Sequence, residues 1–230
     1  KGDEVIIPAP FWVSYPDMVL LAGGKPKIVK CDEKDGFKIT PAKLKAAITK
    51  RTKWIILNSP SNPTGSGYSK SEIQKLAKVL IKNKKVHILS DDIYEHVKYD
   101  NFKFFTIAQI SKLKSRTLTM NGVSKSYAMT GWRIGYAAAS KEIIKAISKV
   151  QSQSTTNPSS ISQAAAVEAL RGPQDFIKTR AQAFQERRDF VVNSLNSTNG
   201  ISCIMPQGAF YVFPSCKELI GKKNKDGKKI

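Results

Sequence analysis

Lys125 lies in NGVSKSYAMTGWRIGY (121–136), between a β-rich run and a glycine-punctuated one. An acid and a phenol precede it in SDDIYEHVKY (90–99), and a polar block, NSPSNPTG (58–65), closes an earlier apolar run. A lysine amine can act as nucleophile or proton carrier, a carboxylate can hold a cation, and a phenol can donate a hydrogen bond. Composition alone would make Lys125 a surface residue, one of 31 lysines, so its neighbours must decide. Sequence chemistry does not choose between the adjacent Asp91 and Asp92, since either could cap a helix or a turn.

These residues need a scaffold, and the hydrophobic pattern supplies one. VIIP (5–8) reads as a strand, YPDMVLLA as a helix closed by Gly23-Gly24, and PKIVKC (26–31) as a strand, while Thr40 with Pro41 opens the next helix. WIILNSP (54–60) is a continuous apolar run, and Ser69 with Glu72 forms a capping box for a helix through Lys84. VHILSDD (86–92), RTLTMNG (116–122) and RIGYAAAS (133–140) read as further buried strands. Strand–helix–strand order implies an α/β fold with a mostly parallel sheet flanked by helices. In such sheets ligands sit beyond the carboxyl ends of the strands, where Asn62, Asp91, Tyr94 and Lys125 all fall. From Pro173 to Gly200 the spacing of Ile177, Ala181, Phe184, Val191 and Leu195 predicts one long helix, interrupted on its apolar stripe by Arg188. ISCIMP (201–206) and GAFYVF (208–213) then read as the first strands of a smaller α+β unit.

With 230 residues, 41% of them hydrophobic, the chain can bury a substantial core. Its net charge of +20 raises nucleic acid or an anionic membrane as a partner. Yet the excess is 31 lysines against 7 arginines, scattered along stretches such as KSEIQKLAKVLIKNKK (70–85). Phosphate-backbone surfaces lean on arginine and on clustering with exposed aromatics, so a solvated lysine-rich surface is the better reading, with neither nucleic acid nor membrane as partner. Cys31, Cys203 and Cys216 are odd in number and far apart, which suggests neither disulfides nor zinc and fits a reducing cytoplasm. His87 reads as a packed strand residue, and His96 has no evident catalytic role, so no metal is expected. The longest apolar runs are too short to span a bilayer. The opening KGDEVIIPAP and the closing GKKNKDGKKI read as interior points of a longer protein.

The blocks PAPFWVSYPDM, NSPSNPTG, SDDIYEH, SKSYAMTGWRIGY and SQSTTNP together resemble the fold type I pyridoxal phosphate (PLP) enzymes. Within them the match is to class I aminotransferases of the bacterial aspartate aminotransferase branch. The resemblance implies that Lys125 forms a Schiff base with the PLP aldehyde, since only a primary amine gives an imine that an incoming amino acid can exchange. It implies that Asp91 pairs with the pyridinium nitrogen and that Tyr94 and Asn62 share the cofactor's phenolic oxygen. Arg133 would grip the phosphate, a task suited to a planar guanidinium. Trp12 would stack on the ring and, with Asn62, face the substrate. Many relatives carry a hydroxyl three residues before the lysine; Gly122 stands there, so that contact is lost or moves to Ser124 or to backbone N–H groups. The family's glycine-rich phosphate loop and its α-carboxylate arginine are expected outside this segment.

The same resemblance divides the chain into a PLP-binding large domain, 1–182, and a bridging helix with the start of a small domain, 183–230. It implies a homodimer with shared sites, in which Ser154, Thr155 and Thr156 reach the partner, although small polar runs are more often capping loops. The activity implied is transamination of an amino acid, aspartate foremost, with a 2-oxo acid such as 2-oxoglutarate. Aromatic or prephenate transamination and a PLP lyase of the same fold are alternatives; a basic nucleic-acid-binding α/β domain is the rival from another class.

Overall fold

Successive strand residues point to opposite faces, and here both sets are apolar, so the sheet must be covered on both sides. The computed structural model describes residues 2–229. Its elements run β1 (Glu4–Ala9), α1 (Ser14–Leu21), β2 (Lys25–Lys30), α2 (Pro41–Ala47), β3 (Thr52–Asn58), α3 (Lys70–Lys82), β4 (His87–Asp91), α4 (Ser111–Lys114), β5 (Thr117–Gly122), β6 (Gly135–Ala138), α5 (Lys141–Gln151), α6 (Ser160–Arg171) and α7 (Asp175–Asn196). The sheet order is β2-β1-β3-β4-β5-β6, parallel throughout except for the antiparallel β5–β6 pair. This is the mostly parallel α/β sheet expected from the sequence.

On one face Ile6, Ile55, Leu57 and Ile88 pack against Leu44 of α2 and Ile73, Leu76, Ala77 and Leu80 of α3. On the other, Ile7 and Ile56 meet Tyr15 and Val19 of α1. Local signals fix the helix starts. Lys43 N–H donates to the Thr40 hydroxyl at 3.2 Å, with Pro41 in the first turn. Ser69 and Glu72 cap each other reciprocally, at 3.3 Å and 2.7 Å.

Two expectations need correction. β6 is exposed along its whole length rather than buried, because no described helix covers it and α5 beside it in sequence buries no residue. An apolar run favours burial only where something packs on it. Second, ISCIMP and GAFYVF form no strands here. They make single bridges, Ser202 with Ser215 and Gly208 with Lys98, and one bridge is not the ladder a strand requires.

Segment 206–211 instead docks as a loop. Gln207 and Gly208 N–H both donate to Gly65 O at 3.0 Å, Ala209 N–H donates to Val97 O at 2.8 Å, and the Tyr99 hydroxyl donates to Ala209 O. Arg188 of α7, with a 5% exposed side chain, binds Asp100 through both Nη atoms and donates to Pro206 O at 2.9 Å. The residue that broke the apolar stripe is therefore the bolt between the long helix and this loop.

Candidate active site

The register brings Asn58, Asp91 and Met120 side by side at the carboxyl ends of β3, β4 and β5. Beyond them opens a cleft of about 770 Å³, lined by all six residues singled out in the sequence: Trp12, Asn62, Asp91, Tyr94, Lys125 and Arg133. That volume falls within the range of about 300–1,000 Å³ usual for small-molecule sites.

Strand alternation puts the two acids on opposite sides. Ile88, Ser90 and Asp92 share one side of the chain and Leu89 with Asp91 the other, the side of α1. Asp91 lines the cleft and accepts from the Tyr15 hydroxyl at 2.5 Å and from Ile93 N–H at 3.3 Å. Asp92 points away and accepts from the Ser90 hydroxyl at 2.7 Å. Burial raises the pKa of both acids; the Tyr15 bond partly restrains Asp91, while Asp92 is pushed up to about 6. Burial and the neighbouring carboxylate raise Tyr15 as well, so its phenol stays protonated and donates.

Asn58 ties the loop that carries Asn62. Its Nδ2 donates to Asp91 O at 2.9 Å and its Oδ1 accepts from Asn62 N–H at 2.7 Å. Tyr94 is buried, its hydroxyl 2.9 Å from that of Tyr211. Lys125 follows β5 in a turn, its Nζ 5.7 Å from the Phe210 ring centre. Arg133 stands exposed at the cleft rim, its Nη1 donating to Thr130 O at 3.0 Å. Trp12, at 36% exposure, packs edge-on against Tyr15.

Gly122 has a steric reason. A Cβ there would lie 2.9 Å from Ile134 O, so a hydroxyl side chain has no room without a backbone shift. Ser124 lines the cleft beside Lys125. Ser154, Thr155 and Thr156 are exposed and do not line it, although Gln151 and Pro158 on either side do. Sequence reasoning missed Asn58, Tyr15 and Tyr211. Asn58 ends an apolar strand and was visible in principle as a polar residue at a carboxyl end; the tyrosines looked like core.

The Aminotransferase class I and II model matches residues 1–227. The chain belongs to the class I and II aminotransferases. It is 56% identical to the aspartate aminotransferase of Rhizobium meliloti strain 1021 over all its length and 56% of that protein's. It is 59% identical to an aspartate/prephenate aminotransferase of Cereibacter sphaeroides, again over all its length and 58% of the relative's. The crystal structure of the Rhizobium meliloti aspartate aminotransferase superposes with a TM-score of 0.98 at 56% identity, covering 100% of this chain and 57% of that one. The aminotransferase chain thus spans just over half the length of the relatives it matches.

Class I aminotransferases use pyridoxal phosphate, and the donor set of the cleft fits that group. One primary amine, one buried carboxylate, a phenol, an amide and a guanidinium correspond in chemistry to an aldehyde, a ring nitrogen, a phenolic oxygen and a phosphate. No helix among the described residues is long and apolar enough to cross a membrane.

Proposed function

We propose that this chain carries the cofactor-binding part of a PLP-dependent aminotransferase that acts on L-aspartate, with 2-oxoglutarate as acceptor, through Lys125. The observation that carries the reading is the convergence of Lys125, Asp91, Tyr94, Asn62 and Arg133 on one cleft at the strand ends. The names of the relatives support the substrate, and one of them favours prephenate as a second oxo-acid partner.

Bound PLP would supply an electron sink conjugated to the substrate Cα. The protein's own groups do the rest. Lys125 would hold the aldehyde carbon and, once the substrate amine displaces it, its free amine would carry the substrate Cα proton to the cofactor's C4′ carbon. Asp91, fixed by Tyr15, keeps a positive charge at the ring nitrogen. Tyr94 and Asn62 donate to the phenolic oxygen, Arg133 holds the phosphate, and Trp12 covers the ring and excludes water from one side. Trp12 and Asn62 also face the substrate.

We further propose residues 1–182 as the large domain and 183–230 as bridging helix and start of a smaller one. The enzyme is a homodimer in which exposed Ser154, Thr155 and Thr156 reach the partner's site, and it works in the cytoplasm, where three free cysteines persist.

The test is borohydride reduction after loading with PLP, followed by peptide mapping, together with half-reaction spectra for aspartate on the full-length protein. The expected adduct maps to Lys125. Lys125→Ala should keep the fold by circular dichroism while losing the adduct and at least a thousandfold in turnover. Normal transamination by that variant would end the assignment.

A further inference from the structure

Tyr94 has one hydroxyl proton and, in the proposed site, two oxygens competing for it. One is Tyr211 Oη at 2.9 Å; the other would be the phenolic oxygen of bound PLP. Two hydroxyls cannot donate to each other at once, so whichever partner takes the Tyr94 proton forces the other to donate. A phenolate is acceptor-only, which leaves the donor role to Tyr211.

We propose that Tyr211 is a positioning residue that donates to Tyr94 Oη and so commits the Tyr94 proton to the cofactor's phenolic oxygen. The inference rests on the functional reading above and adds to it a residue from the far end of the chain, 117 positions beyond Tyr94.

The surroundings leave Tyr211 little freedom to do otherwise. Its ring meets Tyr94 edge-on, with centroids 5.8 Å apart. The segment before it is held to Gly65, Val97 and Tyr99 by backbone and side-chain hydrogen bonds. Tyr211 also lines the same cleft as Asp91 and Lys125. Chained hydrogen bonds polarise one another, so a Tyr94 that accepts from Tyr211 is a stronger donor than a Tyr94 that does not. The device spans two parts of the fold. Tyr94 follows β4, whereas Tyr211 arrives on the loop bolted by Arg188, so the donor is complete only when that loop is docked.

The experiment compares wild type, Tyr211→Phe, Tyr94→Phe and the double variant, each full length and loaded with PLP. Two quantities are read: PLP retention by equilibrium dialysis, and the pH midpoint of the bound cofactor's absorbance change. The titratable groups facing the cleft are Asp91, Tyr15, Tyr94, Lys125, Arg133, Tyr136 and Tyr211, and only the two hydroxyls are altered. Tyr211→Phe should weaken retention about three- to tenfold, the worth of one hydrogen bond. It should also raise the midpoint, because a weaker donor stabilises the phenolic anion less. Tyr94→Phe should do more, and the double variant should match Tyr94→Phe alone.

Unchanged retention and midpoint in Tyr211→Phe would overturn the proposal, as would additive effects in the double variant. The cycle reads coupling even if the single variant lowers the urea midpoint. Wild-type protein that gives no adduct on Lys125 would sink the underlying functional reading as well, which separates the two failures.

Discussion

Tyr15 Oη donates to Asp91 Oδ2 across 2.5 Å, joining α1 to the end of β4 over 76 residues of sequence. Burial lifts the Asp91 carboxyl above the ordinary carboxylate range, and this bond pulls it back. Tyr15→Phe removes the restraint, so Asp91 should hold its proton to higher pH. Because the proposed role needs the anion, the acid limb of the kcat/KM profile should move to higher pH, as expected when a carboxylate loses a hydrogen bond that favours its charged form. A pH–rate series on the two proteins measures it, and coincident acid limbs would remove Tyr15 from the site.

Asp92 gives a prediction about stability. Its pKa rises on folding from 3.8 to about 6, mainly through burial. A folded pKa above the unfolded one means that the native state binds more protons, so this stabilising contribution is full below about pH 4 and lost as pH rises through 6. Asp92→Asn, which keeps an acceptor for Ser90, should escape the loss and exceed wild type above pH 6 by on the order of 3 kcal/mol. Urea midpoints between pH 4 and 7 provide the measurement. Parallel curves for the two proteins would contradict it.

Docking of segment 206–211 can be attacked from two directions. Arg188→Gln removes the grip on Asp100 and Pro206 O; because Asp100 stays hydrated, the expected loss is about 2 kcal/mol rather than that of a fully buried pair. Gly65→Ala acts by sterics, since Gly65 has φ +67° and a Cβ there would sit 2.4 Å from Pro206 Cβ. Both variants should expose the segment to limited proteolysis at unchanged sites in the sheet. Cleavage no faster than in wild type would show that the loop is held by other contacts.

Arg133 is assigned to phosphate. Arg133→Ala should therefore weaken PLP binding at least tenfold while leaving the binding of unphosphorylated pyridoxal nearly unchanged, since only a phosphate uses the bidentate guanidinium. Competition dialysis with both compounds distinguishes this from a general loss of the cleft, in which the two affinities would fall together.

Much of this was legible beforehand. Capping signals at Thr40 and Ser69 and the apolar runs of β1, β3, β4 and β5 are local, so the sequence predicts them directly. The cleft residues were legible because motif blocks carry them in fixed order. What was not legible depends on distant partners. Tyr15 and Tyr211 have the composition of core aromatics, and only the fold brings their hydroxyls to Asp91 and Tyr94. GAFYVF has strand propensity but no ladder to join, and the apolar run of β6 meets no covering helix. Asp91 is chosen over Asp92 by its place in the motif block, and the strand's phase relative to α1 adds the physical reason that the two acids face opposite sides.

β6 ends the sheet as a short antiparallel rib with its outer row of amide and carbonyl groups unpaired among the described residues. Such a rim is a template on which a second molecule can add its own rib. Surfaces carrying a net charge of +20 repel one another and oppose such further pairing, and dissolved ions shorten the reach of that repulsion to about 8 Å at physiological strength. Solutions of this chain should therefore grow more prone to self-association as salt is added.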